Sequence, residues 1–303
     1  MNITDAVEQF LQQKSVEHKS PRTVTHYRKR LISLIRHLQR SGALRLADVT
    51  ASDLQGWLLE MHDRELKRST RYSAASTIRE FFRFAQERGW VLRNPACDLP
   101  VPEDVDQDLP EPPLEEADVL SLLDSLPRTD VYDLRNRAHI EMLYGCALRL
   151  SESVALDLDD VSFSRRLVVV RDGKGGRDRE VNLMKGTAAA VKDYLAVRRT
   201  LLRGPDTGAL FLNRKGKRLQ DYVIGGVLRE ISRKRPKGLP RLHPHLFRHS
   251  IAVHLLHGGA DVRHVQMFLG HASLKTTKIY LRMVPGRLRE DYDAAMPEIA
   301  VCI

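Results

Sequence analysis

The stretch that decides the organisation of this chain is Leu99–Pro113, LPVPEDVDQDLPEPP. It is rich in proline and in acidic residues, and it has no lysine or arginine. Proline fixes φ and lacks a backbone donor, so this composition predicts an extended linker rather than a helix or a strand. The chain has 303 residues, which exceeds the ~100–200 residues of a usual domain. We therefore predict two domains, 1–98 and 114–303, joined by a linker at 99–113.

Residues 1–98 carry the pattern of four helices. Apolar residues at helical spacing predict the first over about 3–13, and Pro21 directly after a serine predicts the start of the second. Thr50, three residues before an acidic side chain, predicts a capping box at the start of the third. The fourth is predicted over about 73–88, and its phenylalanines are expected in the core because that is where this residue type is usually found.

Basic side chains crowd the region just before and within this fourth helix. The whole chain has a formal net charge of +10 and a pI near 9.6. Each phosphate neutralised by Lys or Arg releases counterions, so nucleic acid is the first candidate partner and an anionic membrane the second. For such a cluster, a solvated basic face is the alternative to phosphate contact. The candidate DNA contacts are Lys67, Arg68, Arg71 and Arg79 in the first domain, and Lys215, Lys217 and Arg241 in the second.

The second domain is predicted to be mainly helical with a small antiparallel sheet. Leu167–Val170 is a β-branched run, a glycine-rich turn follows at 172–176, and a return strand is predicted near 180–183. Together these features predict a β-hairpin. Helices are predicted over about 187–202, 221–234, 244–257, 261–269 and 273–282.

Two absences narrow the class of protein. The sequence has no apolar run of the roughly 18–20 residues that a membrane span requires, and its first ten residues lack a signal pattern. We therefore expect no membrane partner and a cytoplasmic chain, associated with the nucleoid if DNA is its partner. Cys97, Cys146 and Cys302 lie far apart and form no C-x-x-C pair, so they predict neither a disulfide framework nor a zinc site.

The order His245, Arg248, His271, Tyr280 predicts a site that forms a covalent bond to a phosphate. A tyrosine hydroxyl, with an unperturbed pKa of roughly 10, is a poor nucleophile. It needs a proton acceptor and cations over the electrophile. His245 and Arg248 are three residues apart on a predicted helix and so share a face.

Two further cations lie upstream of this group. Arg149 follows an apolar helix, and Glu152, three positions later, is placed to orient its guanidinium. Lys174 lies in the glycine-rich turn, from which a flexible ammonium group can reach into a site. Taken singly, a surface arginine and a solvated turn lysine are the alternatives.

Metal binding is an alternative for two clusters. Several histidines crowd one stretch, but no glutamate follows His245 as in H-E-x-x-H and no cysteine lies nearby. The aspartates at 157, 159 and 160 suggest a magnesium site, although a helix-to-strand turn explains them more simply. The histidines concerned are His243, His245, His249, His254 and His257.

Several segments taken together resemble the catalytic set of the tyrosine recombinase (integrase) family, most closely its Xer branch. They are LRLSE (148–152), GKG (173–175), HLFRH (245–249), LGH (269–271) and Tyr280. The resemblance covers nearly the whole chain and implies a mainly α (α+β) fold. An N-terminal four-helix core-binding (SAM-like) domain would precede a mostly helical catalytic domain with a small antiparallel sheet.

The chain departs from the family pattern at two places. The family usually reads Thr-Gly-Leu-Arg where this chain has Cys146-Ala147-Leu148-Arg149, and Ser153 stands where leucine is common. Alanine differs from glycine by one methyl group, so this departure casts little doubt on activity.

By resemblance, the chain is expected to be a site-specific recombinase that needs no metal, ATP or other cofactor. Tyr280 would attack a scissile phosphodiester and form a 3′-phosphotyrosine, while two arginines neutralise the phosphate oxygens. Lys174 would protonate the leaving 5′ oxygen, His245 would accept the tyrosine proton, and His271 would donate to a phosphate oxygen. The implied catalytic set is Arg149, Lys174, His245, Arg248, His271 and Tyr280.

The resemblance also implies the assembly on DNA. Its partner would be double-stranded DNA with paired half-sites, exchanged through a Holliday junction by a homotetramer. An apolar C-terminal tail, residues 296–303, would dock into a neighbouring protomer, and packing onto its own domain is the alternative. For the function itself, the alternatives are a non-catalytic DNA-binding relative and a type IB topoisomerase-like enzyme that relaxes DNA.

Overall fold

The computed structural model describes residues 1–17, 21–43, 45–99, 111–171, 178–236 and 238–270. The chain divides into two compact units, Met1–Leu109 and Pro110–Ile303. The fold class is the expected one, mainly helical with a small antiparallel sheet. No helix within the described ranges is both long and apolar enough to cross a membrane.

The first unit contains the four predicted helices. They are α1 (Ile3–Val16), α2 (Pro21–Arg40), α3 (Ala51–Asp63) and α4 (Arg68–Glu87), with a short 3-10 turn at Leu46–Asp48 between α2 and α3. The capping box of α3 is present, since the Thr50 amide donates to Asp53 at 2.9 Å and the Asp53 amide donates to Thr50 Oγ1 at 3.3 Å.

The predicted start of α4, at residue 73, is wrong. The helix begins at Arg68, after Lys67, which caps it without a side-chain hydrogen bond. Ser73 does not cap: it lies inside the helix, and its carbonyl accepts the Thr77 hydroxyl at 2.9 Å. No glycine or proline stands between 68 and 73, so nothing prevents the helix from starting earlier. The helix therefore carries more of the basic cluster than the sequence predicts.

The phenylalanines of α4 enter the core as predicted. Phe81 and Phe82 are fully buried, and Phe84 nearly so. Phe10 of α1 packs edge-on against Phe81, with ring centroids 5.5 Å apart. The four helices thus enclose one apolar core.

The described part of the second unit contains seven helices and a three-stranded sheet. The helices are α5 (Glu116–Ser125), α6 (Val131–Gly145), α7 (Leu150–Ala155), α8 (Lys185–Arg198), α9 (Asp221–Lys234), α10 (Pro244–His257) and α11 (Val262–Leu269). The strands are β1 (Val161–Ser162), β2 (Leu167–Val170) and β3 (Arg179–Asn182), all antiparallel in the order β1-β2-β3. In the register, Val168 pairs with Val161 on one side and with Val181 on the other.

Helix α6 is central to this unit. Ile140 and Leu143 belong to the core shared with α10 and α11, whereas Met142 and Cys146 belong to the core shared with the sheet and α8. Apolar side chains on two faces of the helix therefore place it between these two cores. The segment after α6, which contains Arg149, therefore starts between the two cores.

Candidate active site

A left-handed turn joins α6 to α7 and sets the position of Arg149. Ala147 has φ +49°, a conformation that favours glycine, and its side chain is fully buried. The departure from the usual family glycine therefore falls at a position where glycine has a conformational advantage. Two residues later, Arg149 caps the N-terminus of α7.

Glu152 is the centre of the site. Its carboxylate accepts the Arg149 amide at 2.8 Å and the Arg149 Nη1 at 2.6 Å, as the spacing of the two residues predicts. It also accepts Arg179 Nη1 at 3.0 Å and Nη2 at 2.7 Å. Burial alone would raise the pKa of Glu152, but these hydrogen bonds and the nearby positive charges lower it to about 2. Glu152 is therefore a carboxylate at any physiological pH.

Arg248 approaches the same carboxylate from α10. Its Nη1 lies 3.9 Å from Glu152 Oε2, beyond hydrogen-bond distance. Its guanidinium donates to two backbone carbonyls, those of Ala147 and Leu269. Only 5% of the side chain is exposed, so this arginine is held by main chain on two sides.

His245 lies one turn before Arg248 on α10 and is exposed. The helix that carries both is fixed at its start by His243, whose Nδ1 accepts the Leu246 amide at 3.2 Å and whose Nε2 lies 2.7 Å from Glu111. Near its end, His254 bridges the Tyr144 hydroxyl and the Leu114 carbonyl, each at 2.8 Å. These contacts fix the helix relative to α6 and to the chain that precedes α5.

The charges in this cluster do not cancel. Three guanidinium groups, those of Arg149, Arg179 and Arg248, surround the single carboxylate of Glu152. Three positive charges and one negative leave a net charge of +2. A partly exposed cluster of this charge can bind a phosphodiester and stabilise additional negative charge on its oxygens.

The described residues thus bring together Arg149 and Arg248 of the six predicted catalytic residues and place His245 on the same helix as Arg248. Lys174, His271 and Tyr280 lie outside the described residues. Two of them have described neighbours: Arg179 opens the strand after the hairpin turn, and the carbonyl of Gly270, next to His271, accepts Arg149 Nη2 at 3.2 Å. Gly270 is the left-handed C-cap of α11, with φ +61°.

Arg179 is a residue of this cluster that the sequence does not single out. It lies in a return strand among other charged residues, and its partner Glu152 is 27 residues away in sequence. One weak signal exists, because alternation along a strand places Arg179 on the same face as the buried Val181. A charged residue on the buried face of a strand requires a partner.

The candidate DNA contacts stay predictions, and their surroundings differ. Lys67, Lys215, Lys217 and Arg241 are exposed, and Arg68 is partly exposed. Arg71 Nη1 lies 2.8 Å from His62 Nδ1. Arg79 donates to the Leu99 carbonyl at 2.5 Å and lines an open cleft of about 430 Å³ in the first unit.

The predicted metal alternatives have other partners. His243 and His254 are engaged as described above. Asp160 accepts Arg171 Nε at 2.6 Å, and Asp157 accepts Arg218 Nη2 at 2.5 Å. Within the part of the chain that the structure describes, no group of three or more His, Cys, Asp or Glu side chains could hold a metal ion.

Two family models match the chain. Residues 113–286 match the phage integrase family, and residues 7–89 match the phage integrase N-terminal SAM-like domain. Among curated proteins, the tyrosine recombinase XerC of Chromobacterium violaceum is 36% identical over 97% of this chain and 95% of its own length. The tyrosine recombinase XerD of Mycobacterium tuberculosis is 36% identical over 91% of each chain.

Solved structures show the same fold. The Tn1549 transposon integrase in complex with transposon right end DNA superposes with a TM-score of 0.78, at 21% identity, over 97% of this chain and 100% of that one. The XerH recombinase bound to a palindromic difH substrate gives a TM-score of 0.74, also at 21% identity, over 94% and 83% of the two chains. At these identities the likeness concerns the fold.

Proposed function

The chain belongs to the phage integrase family and is a tyrosine-type site-specific DNA recombinase, and from this premise we propose that it cuts and rejoins strands through a covalent bond between Tyr280 and a DNA 3′ phosphate. One observation carries this proposal: Arg149, Arg179 and Arg248 surround Glu152 with a net charge of +2. A phosphodiester carries one negative charge and gathers a second in the pentacoordinate transition state, so the charges match.

The proposed step balances as follows. Tyr280 attacks the phosphorus in line and His245 takes the phenol proton, while the bond from phosphorus to the 5′ oxygen breaks. Lys174 gives its proton to that oxygen, which leaves as a hydroxyl. Arg149 and Arg248 hold the non-bridging oxygens, and His271 donates a further hydrogen bond. The position of Arg248, fixed by two backbone carbonyls, supports its part in this scheme.

Attack by a strand of the partner duplex reverses the cleavage step. A phenolate is a much better leaving group than an alkoxide, so a 5′ hydroxyl from a partner strand can displace Tyr280 without ATP. Exchange of one strand pair and then the other passes through a Holliday junction. The energy of the broken bond is kept in the phosphotyrosine, and no cofactor enters this scheme.

We also propose the assembly that this reaction requires. Two duplexes with two half-sites each need four protomers, with residues 1–98 and 114–303 of each acting as core-binding and catalytic domains around the linker 99–113. The apolar tail would join neighbouring protomers. We propose that the chain works on cytoplasmic DNA in the nucleoid, where such duplexes lie, and that the basic residues named above contact the phosphates.

Substitution of the proposed nucleophile tests the function. Duplexes that bind the chain can be selected from a random-sequence library. They are then nicked at each position of their central spacer, so that the short fragment released by cleavage diffuses away and cannot be rejoined. We expect the unsubstituted chain to form a covalent adduct that survives a denaturing gel. Tyr280→Phe should form none, with DNA affinity unchanged to within about twofold, because only the hydroxyl is removed.

The matched control is Tyr222→Phe on α9, where the side chain is 70% exposed. This variant should form the adduct at the normal rate. An adduct with Tyr280→Phe would rule out Tyr280 as the nucleophile. Binding without any adduct from the unsubstituted chain would favour a non-catalytic DNA-binding protein, and relaxation of supercoils without site preference would favour a topoisomerase.

A further inference from the structure

Arg179 lies where several parts of the site meet. It is the first residue of β3 and pairs with Val170, the last residue of β2, at the base of the hairpin whose turn contains Lys174. Only 12% of its side chain is exposed. No role for this arginine follows from the six-residue set, so its contacts have to be explained separately.

The first contact saturates Glu152. A carboxylate offers about four hydrogen-bond sites, two on each oxygen. Arg179 occupies two of them with its parallel Nη1 and Nη2 donors, and Arg149 occupies two with its amide and Nη1. The carboxylate therefore has no strong site left for Arg248, which stays 3.9 Å away on its backbone carbonyls.

The second contact is with the end of α11. A Cβ atom at Gly270 would lie 2.8 Å from Arg179 Cδ and 2.9 Å from Nε, closer than real Cβ contacts. The backbone of Gly270 thus packs directly on the stem of Arg179. Because the same glycine accepts Arg149 Nη2 and precedes His271, the arginine joins β3 to α7 and to the end of α11.

We propose that Arg179 is a positioning residue for the recombination reaction: it occupies Glu152 so that the guanidinium of Arg248 stays available for the scissile phosphate, and it ties the strand after the Lys174 turn to the end of α11. This role rests on the proposed function. Without Arg179, two lone pairs of a buried carboxylate would lose their donors. The carboxylate would then draw the guanidinium of Arg248 away from the phosphate.

The test separates cleavage from binding. We expect Arg179→Gln to slow single-turnover adduct formation on the selected nicked duplex by about 100-fold, because small displacements of reacting groups have effects of this size. DNA affinity in a gel-shift titration should stay within about twofold, since one arginine of this cluster is a small part of the contacts that a whole duplex makes. The control is Arg165→Gln, which removes the exposed Arg165–Glu180 ion pair of the same sheet and should leave both quantities unchanged.

A rescue variant distinguishes positioning from a merely structural contact. If Arg179 acts by occupying Glu152, removing the charge of Glu152 should partly rescue the single variant. The double variant Arg179→Gln/Glu152→Gln should then cleave about tenfold faster than Arg179→Gln, because the competing carboxylate is gone. A structural role predicts the opposite, since the double variant loses both partners. A double variant no faster than Arg179→Gln would overturn the proposal, and so would normal cleavage by Arg179→Gln.

If Arg179→Gln does not fold, as judged by thermal unfolding, Arg179→Lys decides the question. Lysine keeps the positive charge but cannot make two parallel hydrogen bonds. We expect it to cleave about tenfold more slowly with unchanged affinity, and a normal rate would overturn the proposal. No adduct from the unsubstituted chain would instead refute the proposed function on which this role rests.

Discussion

His139 shows how a single buried side chain can link stability to pH. It is fully buried in α6, stacks on Phe211 with ring centroids 4.5 Å apart, and places Nε2 2.7 Å from Ser153 Oγ. Ser153 donates its own proton to the Leu150 carbonyl at 2.9 Å, so His139 must donate from Nε2. Its Nδ1 atom then carries a lone pair, for which the described residues provide no partner. Burial lowers the pKa of His139 to about 3.

The expected consequence is a loss of stability in mild acid. An unfolded histidine binds a proton below pH ~6.5, whereas folded His139 stays neutral down to about 3, so the free energy of unfolding falls as pH drops through this window. Between pH 7 and 5 this one group should remove about 2 kcal/mol. Urea unfolding at pH 7 and pH 5 measures this loss. In His139→Gln, whose side chain cannot titrate, the free energy of unfolding should fall between the two pH values by about 2 kcal/mol less than in the unsubstituted chain. An equal drop in both proteins would contradict this assignment.

Helices α6 and α8 meet at a point where only glycine fits. A Cβ atom at Gly145 would lie 2.2 Å from Thr187 Oγ1, and Thr187 is itself buried. The turn that carries Arg149 begins directly after this crossing. The spacing of the two helices therefore affects both the core and the site.

Gly145→Ala should destabilise the chain by about 1–3 kcal/mol, because overpacking outweighs the better helix propensity of alanine. Thr187→Ala removes the clashing oxygen, and the next nearest atom of residue 187, Cβ, is at an acceptable 3.4 Å. In that background Gly145→Ala should be neutral or stabilising. Urea unfolding of all four proteins gives the coupling energy, and additive effects would show that the crossing does not depend on this contact.

Sequence predicts those elements best whose ends have local signals. The bounds of α9 and α10 are as predicted, and α10 begins with a proline after a capping His243. The sequence gives no bounds for α5, α7 and β1; α7 and β1 are too short to show a period, with β1 only two residues long. Helix α8 begins at Lys185 and gives way to a 3-10 turn at Arg199–Leu201, whereas the sequence predicts one helix to residue 202.

The residues of the candidate site differ in the same way in how far the sequence predicts them. Arg149, His245 and Arg248 are predicted from local motifs and their roles stay predictions, whereas the contact of Arg149 with Glu152, one turn away, is present. Arg179 is not singled out because its contact with Glu152 joins β3 to α7, and alternation along the strand is only a weak signal of a buried partner. The left-handed turn at Ala147 was equally hidden, since an alanine gives no sign of positive φ.

At the scale of the whole molecule, the tail beyond the matched family region tests the assembly. The phage integrase match ends at residue 286, and residues 296–303 are mostly apolar in a chain of net charge +10. Deleting the residues after Pro285 should leave binding of one half-site within about twofold and abolish the tetramer on paired-site duplexes, because apolar segments of this kind need a partner surface. Light scattering of the DNA complexes measures this.

The control is Met267→Lys, which changes an apolar side chain that is 72% exposed on α11 without touching the tail. It should form tetramers as the unsubstituted chain does. If the deleted chain still assembles four protomers and recombines normally, the tail packs elsewhere and another surface joins the protomers.

The main-chain anchorage of Arg248 has a consequence for how this protein can evolve. The carbonyl groups of Ala147 and Leu269 are present whatever side chains these positions carry. Drift at position 147 is therefore restricted by a torsion angle, φ +49°, and by the buried space around one methyl group. Any residue that tolerates this angle still offers its backbone carbonyl to Arg248, whatever its side chain. Position 147 can therefore change during evolution while Arg248 stays in the same place.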